Sequence, residues 1–503
     1  MLTTLPPTIP HAAEAAALAW PDSLAVIERG TVWTFAELWD RAQAGAADLT
    51  RRGVQPGDRV AIWAPNSREW IVAAIAMMAC GAQLVPLNTR LKGGEAAALL
   101  QRTRAKLLFT VTGFLGIDFV ASLAGYELPD LSETVLLDGW APSPSEPVSL
   151  DHIDGETICD ILFTSGTTGE PKGVLMTHSR VLPQCAEWIR NTRLAKGERY
   201  LIANPFFHAF GTKVGWVACL LSGATAVPMP QFDAEQAVRL IEDHRINFLP
   251  GPPTIFQMLL ARKSCADFDT ASLRGGTTGA ATVPPPLIER IRSELGIRDI
   301  ITAYGMTECV NITGCRPGDA AETIARTCGV AVPGNEVKTV DDDGNTLPAG
   351  EAGEILVRGR GVMLGYLDDP AATAAAIDAE GWLHTGDVGT LDVDGYLTIT
   401  DRKKDMFICG GFNVYPAEVE RQLSAHAAIA QVAVIGAPDE RLGEVGKAYV
   451  VLQAGSGATE AELIEWARAQ MANYKVPRTV ELVAALPVNA AGKVMKDVLR
   501  RSI

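Results

Sequence analysis

The sequence has no C-x-x-C pair, no H-E-x-x-H and no grouping of its seven histidines, so a structural zinc site lacks its usual donor spacing. Its nine cysteines (80, 159, 185, 219, 265, 309, 315, 328 and 409) are odd in number and mostly have apolar neighbours. That is the pattern of buried thiols in a reducing cytosol, not of a disulfide framework. Cys409 alone lies near a motif and is given no chemical role. Long hydrophobic runs are also missing. The longest uncharged apolar stretch, Ile71 to Ala82, falls well short of the ~20 residues a spanning helix needs. The N-terminus has no basic start, and Glu14 interrupts its apolar stretch, so no secretory signal is expected. Basic charge is scarce: 44 Lys+Arg against 59 Asp+Glu leave a net −15. That balance argues against a nucleic-acid partner or an anionic membrane surface.

What is present is an ordinary globular composition, 48% hydrophobic and 20% charged, over 503 residues, enough for two or three domains. The first half alternates periodic apolar helices with short β-branched runs. Thr34 and Glu37 have capping-box spacing at the head of a helix continuing through Leu49. Strands are expected at 59–63, 82–86, 105–111, 158–164, 200–203 and 246–249, with an apolar helix at 68–80. Such alternation predicts an α/β fold of layered, largely parallel sheets. From about 333 to 400 the texture becomes short strands and turns, a small β-barrel-like unit. The sequence thus divides into a large N-terminal domain, 1–400, and a small C-terminal α+β domain, 401–503, reading β-α-β-β-α-β. The charge divides unevenly, −16 before residue 401 and +1 after it.

The apolar run Ile158–Phe163 leads into Thr164-Ser165-Gly166-Thr167-Thr168-Gly169-Glu170-Pro171-Lys172-Gly173. Three glycines, four hydroxyls and a lysine can turn backbone N–H groups, hydroxyls and one positive charge toward a polyphosphate. Pro171 occupies the place of the second Walker glycine, and no G-x-G-x-x-G occurs. This loop resembles that of the acyl-adenylate-forming superfamily, which holds acyl-CoA synthetases, peptide-synthetase adenylation domains and luciferases. The likeness covers essentially the whole chain. Further motifs recur in the family's order: Ala303–Glu308, Gly381–Asp387, Asp401–Asp405, Gly410–Glu418 and Leu486–Lys493.

The resemblance implies a role for each. ATP would sit on Thr164, Ser165, Gly166, Thr167, Thr168, Gly169 and Lys172, with Gly279 and Ala280 lying between the adenine and acyl sites. Tyr304, followed by Gly305, would stack on adenine, and Thr307 would contact the α-phosphate. Glu308, with Thr167, would hold Mg²⁺. Asp387 and Arg402 would take the ribose. Lys493 would bridge carboxylate and ATP during adenylation. Lys404 would be the hinge of a mobile C-terminal domain, and Gly410, Gly411 and Phe412 would line the coenzyme A tunnel.

The segment Asn204–Gly211 corresponds to the family's acyl pocket, with His208 beside the carboxylate. It lacks the Asp that pairs with an amino-acid ammonium, and Phe206, Phe207 and Phe210 suit an apolar acid instead. Lys213 either meets a polar group of that acid or faces solvent. A narrower likeness is to actinobacterial ligases that activate the propanoate side chain of partly degraded steroid rings. The expected substrates are a small carboxylic acid, ATP and coenzyme A. A separate carrier protein as acceptor, a fatty or aryl acid, and a homodimer remain open.

Overall fold

The structure, a computed structural model, describes residues 1–503 except 145, 165–170, 266–267, 280–282, 284, 342, 403–406, 415, 454, 488–493, 495 and 502–503. It forms two compact units. The first comprises Met1–Thr89, Leu99–Leu162 and Gly173–Thr400; the second comprises Arg90–Ala98, Phe163–Lys172 and Asp401–Ile503.

Local chemistry sets the elements of the first unit. Thr34 Oγ1 accepts from the Glu37 N–H at 3.2 Å while Glu37 Oε2 accepts from the Thr34 N–H at 2.8 Å. This reciprocal cap starts the helix Phe35–Arg51 by satisfying two otherwise unpaired donors. Ser67 caps the helix Arg68–Ala79, which is buried at every residue from Trp70 onward. It is the apolar stretch of the sequence, and a helix apolar all round belongs in a core. No described helix is long and apolar enough to cross a membrane.

Two large sheets follow. A seven-stranded sheet runs Gly365–Tyr366, Lys172–Thr177, Ile158–Thr164, Gln83–Pro86, Arg59–Trp63, Leu107–Thr110, Glu133–Leu136. A nine-stranded sheet runs Val330–Ala331, Cys309–Gly314, Asp299–Met306, Gly275–Thr278, Phe248–Pro250, Arg199–Ile202, Thr225–Pro228, Leu24–Glu28, Thr31–Thr34. Its six central strands are parallel, so their carboxyl ends share one edge, where open α/β sheets bind ligands.

The β-rich part is an antiparallel sheet in the order Asn335–Val340, Gly353–Gly359, Leu383–Leu391, Leu397–Arg402. Sequence texture does not reveal its third strand. His384 to Gly386 reads as turn residues, yet Leu383 and His384 pair with Val357 and Leu356. A register shift follows at Glu354/Leu356, and Gly386 there has φ +74°, a bulge that redirects the next side chain, Asp387.

In the second unit the strands Phe407–Cys409, Phe412–Val414, Ile429–Asp439, Gly443–Leu452 and Thr479–Leu482 form one sheet. The helices Pro416–Ser424 and Glu460–Gln470 belong to the same unit. The reading β-α-β-β-α-β therefore gains a hairpin at its start and the helix Lys496–Arg500 at its end. Gly410 (φ +57°) and Gly411 (φ +83°) form the hairpin's two-residue turn. Positive φ at both places defines a type I′ turn, which favours glycine.

Candidate active site

Tyr304 lies near the carboxyl end of the strand Asp299–Met306, which turns back at Thr307-Glu308 into Cys309–Gly314. The hairpin register shifts between Tyr304 and Met306, and a Cβ on Gly305 would lie 2.1 Å from the Val310 carbonyl oxygen. Only glycine fits that bulge. On the neighbouring parallel strand, Thr278 is in register with Thr302, which sets Gly279 at the same edge, with its virtual Cβ 3.5 Å from the Ala303 carbonyl oxygen.

Four polar contacts organise this edge. Tyr304 donates its hydroxyl to Asp387 Oδ2 at 2.6 Å, and Asp387 N–H donates to Thr385 Oγ1 at 3.1 Å. Burial, then the Asp387 charge, raise the Tyr304 phenol well above its ordinary pKa, so it stays a donor. Glu308 is buried, accepts from the Tyr366 hydroxyl at 2.9 Å, and is fixed through its carbonyl by the Met363 N–H at 2.7 Å. A hard carboxylate oxygen held this way suits a Mg²⁺ ion arriving with a nucleotide.

The segment after the strand Arg199–Ile202 lies at the same edge. Asn66, only 2% exposed, donates its amide to the carbonyls of Ile202, Asn204 and Met229 at 3.2, 2.9 and 3.1 Å. Its Oδ1 accepts from the Phe206 N–H at 2.7 Å. One side chain following a seven-stranded-sheet strand thus fastens the ends of two nine-stranded-sheet strands.

Phe206 is fully buried, with its ring centroid 5.2 Å from that of Trp70. Phe207 and Phe210 are half-buried, and Phe210 meets Trp188 edge-on at 5.2 Å. His208 is exposed. Its Nδ1 accepts from the Phe210 N–H at 3.3 Å, which places the neutral ring's proton on Nε2. Loss of surrounding water, then the Lys213 charge, lower its pKa from the ordinary histidine value.

Lys213 does not face solvent. It is 0% exposed and pairs with Asp160 Oδ1 at 3.1 Å, that carboxylate being 1% exposed. Burial raises the Asp160 carboxyl above its ordinary pKa, and the Lys213 charge opposes the rise. Burial pushes the neighbouring Cys185 thiol up to about 12, and, away from this pair, Cys309 and Cys328 also to about 12.

Other expected positions are distributed as follows. Thr164 ends the strand Ile158–Thr164 and Lys172 begins the next. Arg402 closes the strand Leu397–Arg402. In the second unit, Phe412 stacks on Tyr474 at 4.7 Å beneath the Arg90 guanidinium at 5.0 Å. Ser165, Gly166, Thr167, Thr168, Gly169, Ala280, Lys404 and Lys493 lie outside the described residues. Asn66, Tyr366 and Asp160 escaped sequence reasoning. Asp160 had a signal, a charge inside an apolar parallel strand, whereas Asn66 and Tyr366 had none.

An open parallel sheet with an aromatic, a carboxylate and a buried acidic turn at its carboxyl edge defines a nucleotide-handling α/β enzyme. The comparisons place it. Residues 13–367 match the model for the AMP-binding enzyme family and residues 418–493 that for the AMP-binding enzyme C-terminal domain, and the chain belongs to this family. It is 48% identical to the 3-[(3aS,4S,7aS)-7a-methyl-1,5-dioxo-octahydro-1H-inden-4-yl]propanoyl:CoA ligase of Mycobacterium tuberculosis, covering 98% of each chain. It is 44% identical, over 99% of each chain, to the ligase of the same name from Rhodococcus jostii. Among solved structures, a double mutant of o-succinylbenzoate CoA synthetase from Bacillus subtilis, bound with a product analogue, superposes with a TM-score of 0.88. That match is at 30% identity and covers 99% of this chain and 98% of the other.

Proposed function

We propose that the protein is an ATP-dependent carboxylic acid:CoA ligase whose acid is a propanoate carried on a compact, mainly apolar bicyclic ketone. The observation that carries the nucleotide half is the Tyr304–Asp387 bond beside the buried Glu308 turn. It gives an aromatic face for adenine, a carboxylate for the ribose hydroxyls and an oxygen ligand for Mg²⁺. The 44–48% identity to two propanoyl:CoA ligases over nearly the full chain and the aromatic, Asp-free segment Asn204–Gly211 support the acid.

The chemistry is two displacements. A carboxylate oxygen of the acid attacks the α-phosphorus of ATP, the bond to the β-phosphate oxygen breaks, and pyrophosphate leaves. The coenzyme A thiol, its proton lost to solvent, then attacks the acyl carbon as the thiolate, the bond from acyl carbon to phosphate oxygen breaks, and AMP leaves with the bonding electrons. Mg²⁺, when bound, neutralises phosphate charge in the first displacement. Lys493 offsets repulsion between the two anions, and the phosphate loop with Thr307 orients the phosphates. His208, neutral with its proton on Nε2, offers a hydrogen bond to the acid's carboxylate. Lys404 serves as the hinge between the two half-reactions, and Gly410, Gly411 and Phe412 border the path of the thiol.

The test is a panel of bicyclic propanoate, fatty, aryl and amino acids, each with ATP, Mg²⁺ and coenzyme A, scored by mass for the thioester. The bicyclic propanoate should exceed every other acid in kcat/KM by at least about tenfold. Preferential turnover of an amino acid would overturn the pocket reading, and release of acyl-AMP without thioester would overturn the acceptor.

A further inference from the structure

The buried pair Asp160–Lys213 has no part in the two displacements, yet it joins two segments that do. Asp160 stands four residues before Thr164 on the strand that enters the phosphate loop. Lys213 stands five residues after His208 in a kinked helical turn, Thr212–Val217, buried at all six residues. Here the turn breaks at Gly215, whose φ of −93° and ψ of −105° are not helical.

The turn's backbone is held from two other directions. The Lys213 carbonyl accepts from Cys185 Sγ at 3.0 Å and the Val214 carbonyl from the Tyr200 hydroxyl at 3.0 Å. Its side chains at 212 and 213 reach back, Thr212 Oγ1 to the Phe206 carbonyl and Lys213 Nζ to Asp160. Among the described residues, neither Lys213 Nζ nor Asp160 Oδ1 makes a well-directed hydrogen bond beyond this ion pair. Two apolar side chains would fill the same space without the desolvation an ion pair suffers. A charge pair adds direction: it draws one point on the turn to one point on the strand.

The geometry points to Asp160 and Lys213 as positioning residues, a strut that holds the segment Phe206–Val217 in register with the strand leading to the phosphate loop. The strut thereby sets the acid-binding side chains against the nucleotide-binding strand. Its bearing on acid binding rests on the acyl-pocket reading given above; its mechanical role does not. The effect runs through His208 and Phe210, not through contact with substrate.

The decisive variant is Asp160→Asn/Lys213→Met, which removes both charges and leaves none unpaired. It should melt within about 3 °C of wild type, whereas Lys213→Met alone should melt several degrees lower. Despite restored stability, amide exchange at 206–217 in the double variant should be about tenfold faster, and the KM for the acid about tenfold higher with kcat for adenylation within about threefold. Unchanged exchange at 206–217 would overturn the strut. Faster exchange with an unchanged acid KM would leave the strut standing and refute the acyl-pocket reading instead. Should the double variant not fold, the nearly isosteric Asp160→Asn is measured alone. Exchange that rises at 206–217 above that of the strands 225–228 and 248–250 supports the strut, and a uniform rise overturns it.

Discussion

Tyr304 carries two duties at once. Its ring is the face proposed for adenine, and its hydroxyl donates at 2.6 Å to Oδ2 of Asp387, the carboxylate proposed for the ribose. Tyr304→Phe keeps the first duty and removes the second. A hydrogen bond to a charged group is worth about 1.5 kcal/mol or somewhat more, so the KM for ATP should rise about tenfold while the KM for the acid stays within twofold. Steady-state kinetics with each substrate varied checks this, and equal rises would show that the hydroxyl supports the whole edge. At this scale the sequence revealed residue types better than partners. Tyr304, Glu308 and Asp387 stand in ordered motifs, and the types suit their tasks. Nothing near Tyr366 announces that its hydroxyl reaches Glu308, 58 residues away, because such contacts are made by the fold and leave no local pattern. Lys213 was legible as a residue of interest, but its burial followed from Asp160, a partner 53 residues earlier that only tertiary packing brings within 3.1 Å.

Elements aim these side chains, and the hairpin bulge at Gly305 is the most demanding. A Cβ there would stand 2.1 Å from backbone oxygen, a clash no rotamer relieves. Gly305→Ala should lower stability by about 2–4 kcal/mol and cut acid-dependent pyrophosphate release by at least about tenfold, since the Thr307-Glu308 turn moves with the strand. Thermal melts and a pyrophosphate assay check both, and a wild-type melt would contradict the packing. Element type was readable where period and caps agree, as in Phe35–Arg51 with its reciprocal Thr34/Glu37 cap. It was unreadable for Leu383–Leu391, whose polar, glycine-bearing centre is held as a strand by the neighbours Gly353–Gly359 and Leu397–Arg402. The resemblance places the glycines at 410 and 411 along the coenzyme A tunnel. The I′ turn they form favours glycine at both places as well.

Across the whole molecule the charge is divided between chain segments, with −16 over residues 1–400 and +1 over 401–503. Anionic substrates therefore have to be held by local groups rather than by a global field, a burden we propose falls largely on Lys493. Lys493→Ala should reduce pyrophosphate release from acid plus ATP by at least about 100-fold while leaving thioester formation from supplied acyl-AMP largely intact. Equal loss of both half-reactions would remove the lysine from the adenylation step. Asn66 acts at this scale as well. All four of its hydrogen bonds reach between 136 and 163 residues along the chain, so they close only after strands of both large sheets are in place. Closing loops of that length costs entropy before the contacts repay it, so these bonds are expected to form late in folding. Losing that amide would then shorten the lifetime of the native state without slowing its formation, which makes Asn66 a kinetic latch on a chain whose two sheets have already met.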